Sequence, residues 1–239
     1  SASMSDFRSM KTPDQPRANK PIARNELTKS SLISSARCPF QYYLKYILGM
    51  PEIDQYSLQE GRRLHDQIAR INQLLKTNGV ANTGIEHFDL ELQNDQKIIH
   101  YLNWAKENLL EVIEVEFLIE YAFHNTQLKG KIDLLAKDKT GDLILIDFKS
   151  GKYHLQRHDL ELNYYNLLYT EKNKMQIPKQ GAYSLSDNTF HNILVNHDSV
   201  KEKINDFDEL CKKRDFKRMR TNNLCEDCQF RNFCYSESP

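Results

Sequence analysis

Acidic and basic residues recur at every second position in two apolar segments of this 239-residue chain. In the first segment, Lys129, Lys131 and Asp133 would share one face of a β-strand, because strand side chains alternate with a period of two. In the second, Asp147 and Lys149 would share a face and lie about 6.6 Å apart along the strand. The spacing therefore predicts two short strands, each with a carboxylate and an amine on the same side.

The carboxylate of Asp147 would lie among aliphatic residues, where a charge is costly to bury unless a positive group lies against it. A divalent cation bound by Asp133 and Asp147 would supply that positive charge. Carboxylate oxygens favour hard cations, which predicts Mg²⁺ or Mn²⁺. Such a cation activates water for attack on a phosphodiester, and Lys149 would orient that water. The alternative is an ion pair between Asp147 and Lys149 on a solvated strand end.

The cysteines form a second group with a recognisable spacing. Cys225, Cys228 and Cys234 follow the pattern C-x2-C-x5-C, and Cys38 lies far upstream. The first residues carry no secretory pattern, so we expect a cytoplasmic protein with thiols rather than disulfides. Four thiols suit a zinc site or a [4Fe–4S] cluster, and their spacing does not separate the two. Four unrelated thiols are the third possibility, and Cys211, outside the pattern, is interpreted as a free thiol.

Hydrophobic periodicity predicts the elements that position these residues. Residues 1–25 hold three prolines and no apolar period, so we expect a flexible tail. Alternation predicts strands at Val112–Phe123, Leu128–Lys137 and Leu143–Lys149, with a turn at 138–142. The remaining pattern predicts two helices within Thr28–Met50 separated at Pro39, further helices over Leu58–Lys76, Ile98–Leu110, Asp159–Glu171 and Val200–Arg214, and a strand pair within Gly181–Val195. The predicted fold class is α+β, with helices on a mixed sheet.

The two charged segments also resemble those of a known family. Gly130–Asp133 and Ile146–Lys149 are similar to the Gly-x-x-Asp and Asp/Glu-x-Lys strands of RecB-like PD-(D/E)XK nucleases. The resemblance implies a restriction-endonuclease-like mixed sheet flanked by helices. It also implies that Asp133 and Asp147 bind the catalytic metal and that Lys149 assists catalysis.

A histidine upstream is interpreted through the same resemblance. The segment Gly61–His65 resembles the helix whose histidine adds a metal ligand in that branch. Without the family, a lone histidine at the edge of a helix stripe would be interpreted as structural. With it, the expected metal set is His65, Asp133 and Asp147.

The helix after the charged strands is expected to add two catalytic candidates. The branch carries Gln-x-x-x-Tyr there, and both side chains project from one helix face. Tyr165 matches the tyrosine, but Glu161 stands where the glutamine is expected, which brings a negative charge near phosphate. On the strand before Asp133, Glu116 is interpreted either as an outer acidic contributor or as part of a solvated face.

The cysteine spacing resembles that of the iron–sulfur subset of RecB-like nucleases. This subset includes the nuclease domain of the AddB helicase–nuclease subunit and the four-cysteine CRISPR-associated nucleases. The resemblance implies that Cys38, Cys225, Cys228 and Cys234 hold a [4Fe–4S] cluster. We therefore expect a single RecB-like nuclease domain over residues 26–239, with an iron–sulfur-stapled helical region.

Together, the motifs predict a metal-dependent DNA nuclease, and the resemblance favours an exonuclease on single-stranded DNA ends. CRISPR spacer acquisition with an integrase partner, or a recombination and repair complex, would be its context. Basic and acidic residues balance at 33 each, so DNA binding must rely on local patches. No apolar run reaches the roughly 18 residues of a membrane span, so no membrane role is expected. The alternatives are a catalytically silent nucleic-acid-binding module of a larger repair or integration complex and a zinc-stabilised protein-interaction domain.

Overall fold

The computed structural model describes six stretches of the chain, residues 26–50, 56–124, 126–151, 155–219, 222–226 and 228–236. The tail predicted at 1–25 lies outside the described residues. Contacts divide the chain into a smaller compact unit, Ser1–Ile53 with Lys203–Pro239, and a larger one, Asp54–Glu202. The single domain expected over residues 26–239 stays a prediction.

The described chain begins with a short strand and then becomes helical. A capping box between Thr28 and Ser31 starts the first helix, which ends where Cys38 takes an extended backbone before Pro39. This confirms the predicted break at Pro39. The elements up to residue 108 are β1 (Glu26–Thr28), α1 (Lys29–Arg37), α2 (Pro39–Tyr42) with a π-helical turn (Tyr43–Ile47), α3 (Tyr56–Asn78), a 3₁₀ turn (Ile85–His87), α4 (Leu90–Asn94) and α5 (Gln96–Asn108).

The rest of the described chain alternates strands and helices. Its elements are β2 (Leu109–Phe123), β3 (Thr126–Asp138), β4 (Leu143–Lys149), α6 (Leu155–Asn173), β5 (Lys179–Ser184), β6 (Thr189–Asn192), α7 (His197–Lys213), α8 (Asn222–Cys225) and α9 (Arg231–Ser236). In the larger unit, β2 to β6 form one mixed sheet, in which β4 and β5 are parallel and the other neighbours are antiparallel. The predicted α+β class with a mixed sheet is therefore confirmed. No described helix is both long and apolar enough to cross a membrane.

The core of the larger unit lies between α3, α5 and the sheet. The predicted apolar stripe of α3 is confirmed, since Leu64, Ile68, Ile71 and Leu75 are all buried. Residues of α5 and the strands complete this core, including Tyr101, Phe148 and Tyr183, whose rings meet edge-on or tilted. The same packing fixes α3 and β4 relative to each other, and both carry predicted site residues.

Helix α6 is held against β3 by two consecutive tyrosines. The Tyr164 hydroxyl donates to the Lys129 carbonyl over 2.9 Å and accepts from the Lys129 amide over 3.1 Å. The Tyr165 ring lies against Gly130, where an added Cβ would be only 2.7 Å from the ring carbon Cε1. Glycine at position 130 therefore allows the close approach of strand and helix.

A buried amide holds α6 from another side. Asn163 is fully buried; its Nδ2 donates to the Leu194 carbonyl over 3.2 Å. Its Oδ1 accepts from Gln180 Nε2 over 2.8 Å and from the Asn196 amide over 2.6 Å. One side chain thus joins α6 to β5 and to the segment before α7.

We expect Gly130→Ala to lower the free energy of unfolding by about 1–3 kcal/mol, because the new methyl group forces the Tyr165 ring away from β3. The change is measured as the shift of the urea midpoint at constant m-value. Gly151→Ala is the matched control, since its Cβ would meet nothing within 4 Å. Equal midpoints for the two variants would contradict the close approach.

Asn163→Ala should also destabilise the protein, by about 1–3 kcal/mol or more, because it leaves buried donors and acceptors without partners. Urea unfolding again gives the value. Asn173→Ala is the control, since Asn173 is exposed near the end of the same helix and donates only to the Tyr169 carbonyl. A loss no larger than that of the control would show that the buried amide contributes little.

Candidate active site

The two predicted aspartates lie on neighbouring strands where their pairing ends. The pairing of β3 with β4 runs from Lys137 and Leu143 to Leu134 and Ile146. Asp133 and Asp147 are the next residues on the two strands. The strands therefore bring both carboxylates to the same end of their shared ladder.

The carboxylate of Asp133 is held by β4 and approached by α3. The backbone amide of Phe148 donates to Asp133 Oδ2 over 2.9 Å. The same oxygen lies 3.7 Å from His65 Nδ1. His65 follows the buried Leu64 at the edge of the α3 stripe, and its ring turns towards the strand aspartate. The structure thus brings together two of the three predicted metal ligands.

Glu116 joins these two residues. Donor atoms of His65, Glu116 and Asp133 all lie within 4.8 Å of one another, and they form the one such group in the described stretches. Asp147 was expected in this group and does not belong to it. Of the two interpretations of Glu116, the contributor to an acidic site agrees with its position.

Glu116 has an unusual backbone conformation with φ = +50°. Few residues other than glycine adopt this left-handed region, because their Cβ then crowds the carbonyl oxygen. The sequence signal for Glu116 was its alternation with Glu114 and Glu120, which does not single it out. Its conformation and its neighbours depend on the register of β2 with β3, which the sequence does not reveal.

The predicted catalytic lysine lies between two carboxylates. Lys149 Nζ is 2.7 Å from Asp147 Oδ2 and also contacts Glu161 Oε2 of α6. The side chains of Asp147 and Glu161 are each only 3% exposed, so their charges require a partner at close range. The glutamate that stands in place of the expected glutamine is therefore an ion-pair partner of Lys149.

Tyr165, the remaining catalytic candidate, is 5% exposed and packs its ring against Gly130. This position makes it part of the contact between α6 and β3. A direct role in chemistry stays a prediction.

The site as a whole carries excess negative charge. Its four carboxylates belong to Glu116, Asp133, Asp147 and Glu161, and its two ammonium groups to Lys131 and Lys149. The formal charge is therefore −2 with a neutral histidine. One divalent cation would neutralise it, and carboxylate oxygens with one imidazole suit a hard cation such as Mg²⁺ or Mn²⁺.

The four predicted cluster cysteines are all in the smaller unit and line one cavity. Phe40, Leu44, Leu224 and Phe230 are among its apolar lining residues. Arg37 Nη2 donates to the Leu224 carbonyl over 2.7 Å, which links the end of α1 to the residue before Cys225. The described cysteines make no disulfide. Cys38, Cys225, Cys228 and Cys234 are thus brought to one concave surface.

The sulfurs of this cavity are spread more widely than those around a bound zinc ion. A tetrahedral zinc site has sulfurs about 3.8 Å apart, from zinc–sulfur bonds of about 2.3 Å. No three described cysteines have all their sulfurs within 4.8 Å of one another. Burial raises the pKa of the Cys228 thiol, and a hydrogen bond with the Phe230 backbone and the charge of Arg37 partly offset this increase.

Cys211 is separate from this group. It makes no disulfide and is not among the residues that line the cavity. Burial and the nearby Asp208 raise the pKa of its thiol to about 11. The interpretation of Cys211 as a free, protonated thiol agrees with this environment.

The sequence and the fold both relate the chain to known proteins. Among curated proteins, none matches the sequence. A crystal structure of the protein SSO0001 has a TM-score of 0.51 at 16% identity, covering 90% of this chain and 88% of that chain. A candidate exonuclease from Eubacterium rectale has a TM-score of 0.50 at 11% identity, covering 94% and 93%. Both similarities concern the fold alone. The family model of the PD-(D/E)XK nuclease superfamily matches residues 26–235, and the chain therefore belongs to this superfamily.

Proposed function

We propose that the chain is a divalent-metal-dependent DNA nuclease that degrades DNA from single-stranded ends. The observation that carries the proposal is that Asp133, Asp147 and Lys149 lie together where the pairing of β3 with β4 ends, in a PD-(D/E)XK fold. A nucleic-acid-binding module would not require an ammonium group beside a nearly buried carboxylate at that edge. Preference for DNA over RNA and for single-stranded ends rests on the resemblance of the motifs.

His65, Glu116 and Asp133, whose donor atoms already lie together, would hold the metal, and Asp147, the next residue after the β3–β4 pairing, would add an oxygen donor. The formal charge of −2 and the oxygen-rich donor set suit Mg²⁺ or Mn²⁺. When bound, the metal lowers the pKa of a coordinated water and polarises the phosphodiester. The Phe148 amide fixes the orientation of the Asp133 carboxylate before any metal arrives.

Lys149 places a positive charge of the protein itself beside the reacting phosphate. Its ammonium group donates to a phosphate oxygen or orients the attacking water, where negative charge develops in the transition state. Glu161 and Asp147 restrict the lysine side chain from two sides, so little conformational freedom is lost when substrate binds.

The nuclease proposal predicts cleavage of single-stranded DNA labelled at its 5′ or 3′ end when Mn²⁺ is present. Lys149→Ala should reduce the rate by about 10²–10³-fold, the usual cost of removing one donor to a developing charge. Lys139→Ala, in the exposed turn between β3 and β4, is the control and should cleave like the wild type.

The two labels also reveal which end is degraded first. Circular single-stranded DNA tests the requirement for an end, and linear RNA tests the requirement for DNA. Lack of cleavage by folded, metal-loaded wild-type protein that still binds DNA would favour the silent binding module. Equal rates for Lys149→Ala and the control would remove the lysine from the mechanism.

We also propose that the cavity of the smaller unit holds a [4Fe–4S] cluster. Its support is the convergence of four cysteines from both ends of the sequence on one cavity. In a four-iron cluster each thiolate binds a different iron, so the sulfurs stand farther apart than around a single zinc ion. A role in CRISPR spacer acquisition or in recombination and repair, with an integrase or recombination complex as partner, rests on the resemblance of the cysteine spacing.

The cluster proposal predicts brown protein after anaerobic purification, with iron and acid-labile sulfide in equal amounts. Cys225→Ala should lose the visible absorption and about 4 kcal/mol or more of stability, because the cluster closes a long loop. Cys211→Ala should keep both the colour and the melting temperature. If the wild-type protein is colourless and contains stoichiometric zinc, the cavity holds a zinc site and not an iron–sulfur cluster.

A further inference from the structure

Glu116 has partners on two sides. Its carboxylate contacts Lys131 Nζ across the β2–β3 hairpin. The same side chain belongs to the group of donor atoms with His65 and Asp133. Both relations hold for one position of the side chain, so a metal ion bound in this group would share the Glu116 carboxylate with the lysine and take up much of its negative charge.

The competition favours a divalent cation. The Lys131 side chain is 54% exposed, and ion pairs at such exposure are weak because water screens them. Glu116 is 25% exposed and has its left-handed backbone at the site itself. A doubly charged ion among His65 and two carboxylates attracts Glu116 more strongly than a solvated ammonium group does.

The position of Lys131 on β3 suits its ammonium group to binding a phosphate of the substrate. Lys131 precedes Asp133 by two residues on β3, so both project from the same face about 6.6 Å apart. This separation is comparable with the distance between consecutive phosphates along an extended nucleic-acid strand. A strand with one phosphate at Asp133 would thus bring the next phosphate to Lys131.

We propose that Lys131 is a metal-gated phosphate-binding residue. Without metal it is paired with Glu116; with metal, the ion would take up the charge of that carboxylate, and Lys131 would bind the phosphate next to the one that is cut. Metal binding then increases the affinity of the site for nucleic acid twice, through its own charge and through the freed lysine. This inference rests on the proposed nuclease function.

The test compares binding of a fluorescent single-stranded oligonucleotide in EDTA and in Ca²⁺, under conditions where the oligonucleotide stays intact. Each phosphate contact on a single strand contributes about 0.7 to the slope of log K against log salt concentration. Lys131→Gln should therefore reduce the slope by about 0.7 in Ca²⁺ and leave it unchanged in EDTA. Lys131→Arg should restore the slope.

Two further lysines of β3 serve as matched controls. Lys137 pairs with Glu111 across the same hairpin, and neither residue belongs to the metal group, so Lys137→Gln should change neither slope. Lys129 pairs with Glu120, which is also outside the group. Any effect of Lys129→Gln should be equal in EDTA and in Ca²⁺.

Glu116→Gln tests the same inference by removing the carboxylate that pairs with Lys131. Without the carboxylate, Lys131 is free even in EDTA, so the slope in EDTA should increase by about 0.7 relative to the wild type. Thermal unfolding of each variant verifies that it is folded.

Three results would overturn the inference. Lys131→Gln could behave like Lys137→Gln, which removes the phosphate contact, or weaken binding equally in both buffers, which removes the gate. In either case, cleavage of DNA by the wild type in Mn²⁺ leaves the nuclease function standing. Folded wild-type protein that neither binds nor cleaves DNA would overturn the nuclease function together with the gate.

Discussion

Excess negative charge collects where the pairing of β3 with β4 ends, and the surrounding elements of the larger unit must balance it. Carboxylates repel one another most where burial removes the water that would screen them, and Asp147 and Glu161 are both nearly buried. Lys149 lies between these two and cancels one of their two negative charges. The Asp133 group keeps an uncompensated charge that suits a divalent ion. A divalent metal ion would therefore complete the charge balance of the fold at this point, as well as supply chemistry.

The compensating groups act only if α6 is held firmly, and the sequence of this helix distributes that task over a short stretch. Glu161 contacts Lys149 in the site, and Asn163 makes hydrogen bonds to β5 and to the segment before α7. The tyrosines at 164 and 165 contact β3. Successive helix residues point about 100° apart, so neighbouring positions face different partners. One short segment thereby fixes both the position of the helix and the charge that it contributes.

Much of this architecture could be predicted, because strands and helices leave a local periodic pattern. The three charged or apolar strands lie within three residues of their predicted bounds, and Pro39 separates two helices as expected. The pairing of Lys149 with Glu161 could not be predicted, since it depends on how α6 packs against the sheet. Two irregularities shift the register of β2 with β3 between Leu109 and Glu114, and they decide which glutamate reaches Asp133. A sequence in which glutamates recur at 111, 114, 116 and 120 offers no local sign of that choice.

The overall charge balance makes the local response to metal more consequential. A chain with equal numbers of acidic and basic residues has no long-range field to collect a polyanion, and its metal-free site repels phosphate. One divalent ion would cancel the formal charge of −2, and its share of the Glu116 carboxylate would leave Lys131 as a positive group on the surface. In a chain with no net charge, metal-dependent exposure of a lysine would couple substrate binding to catalytic competence.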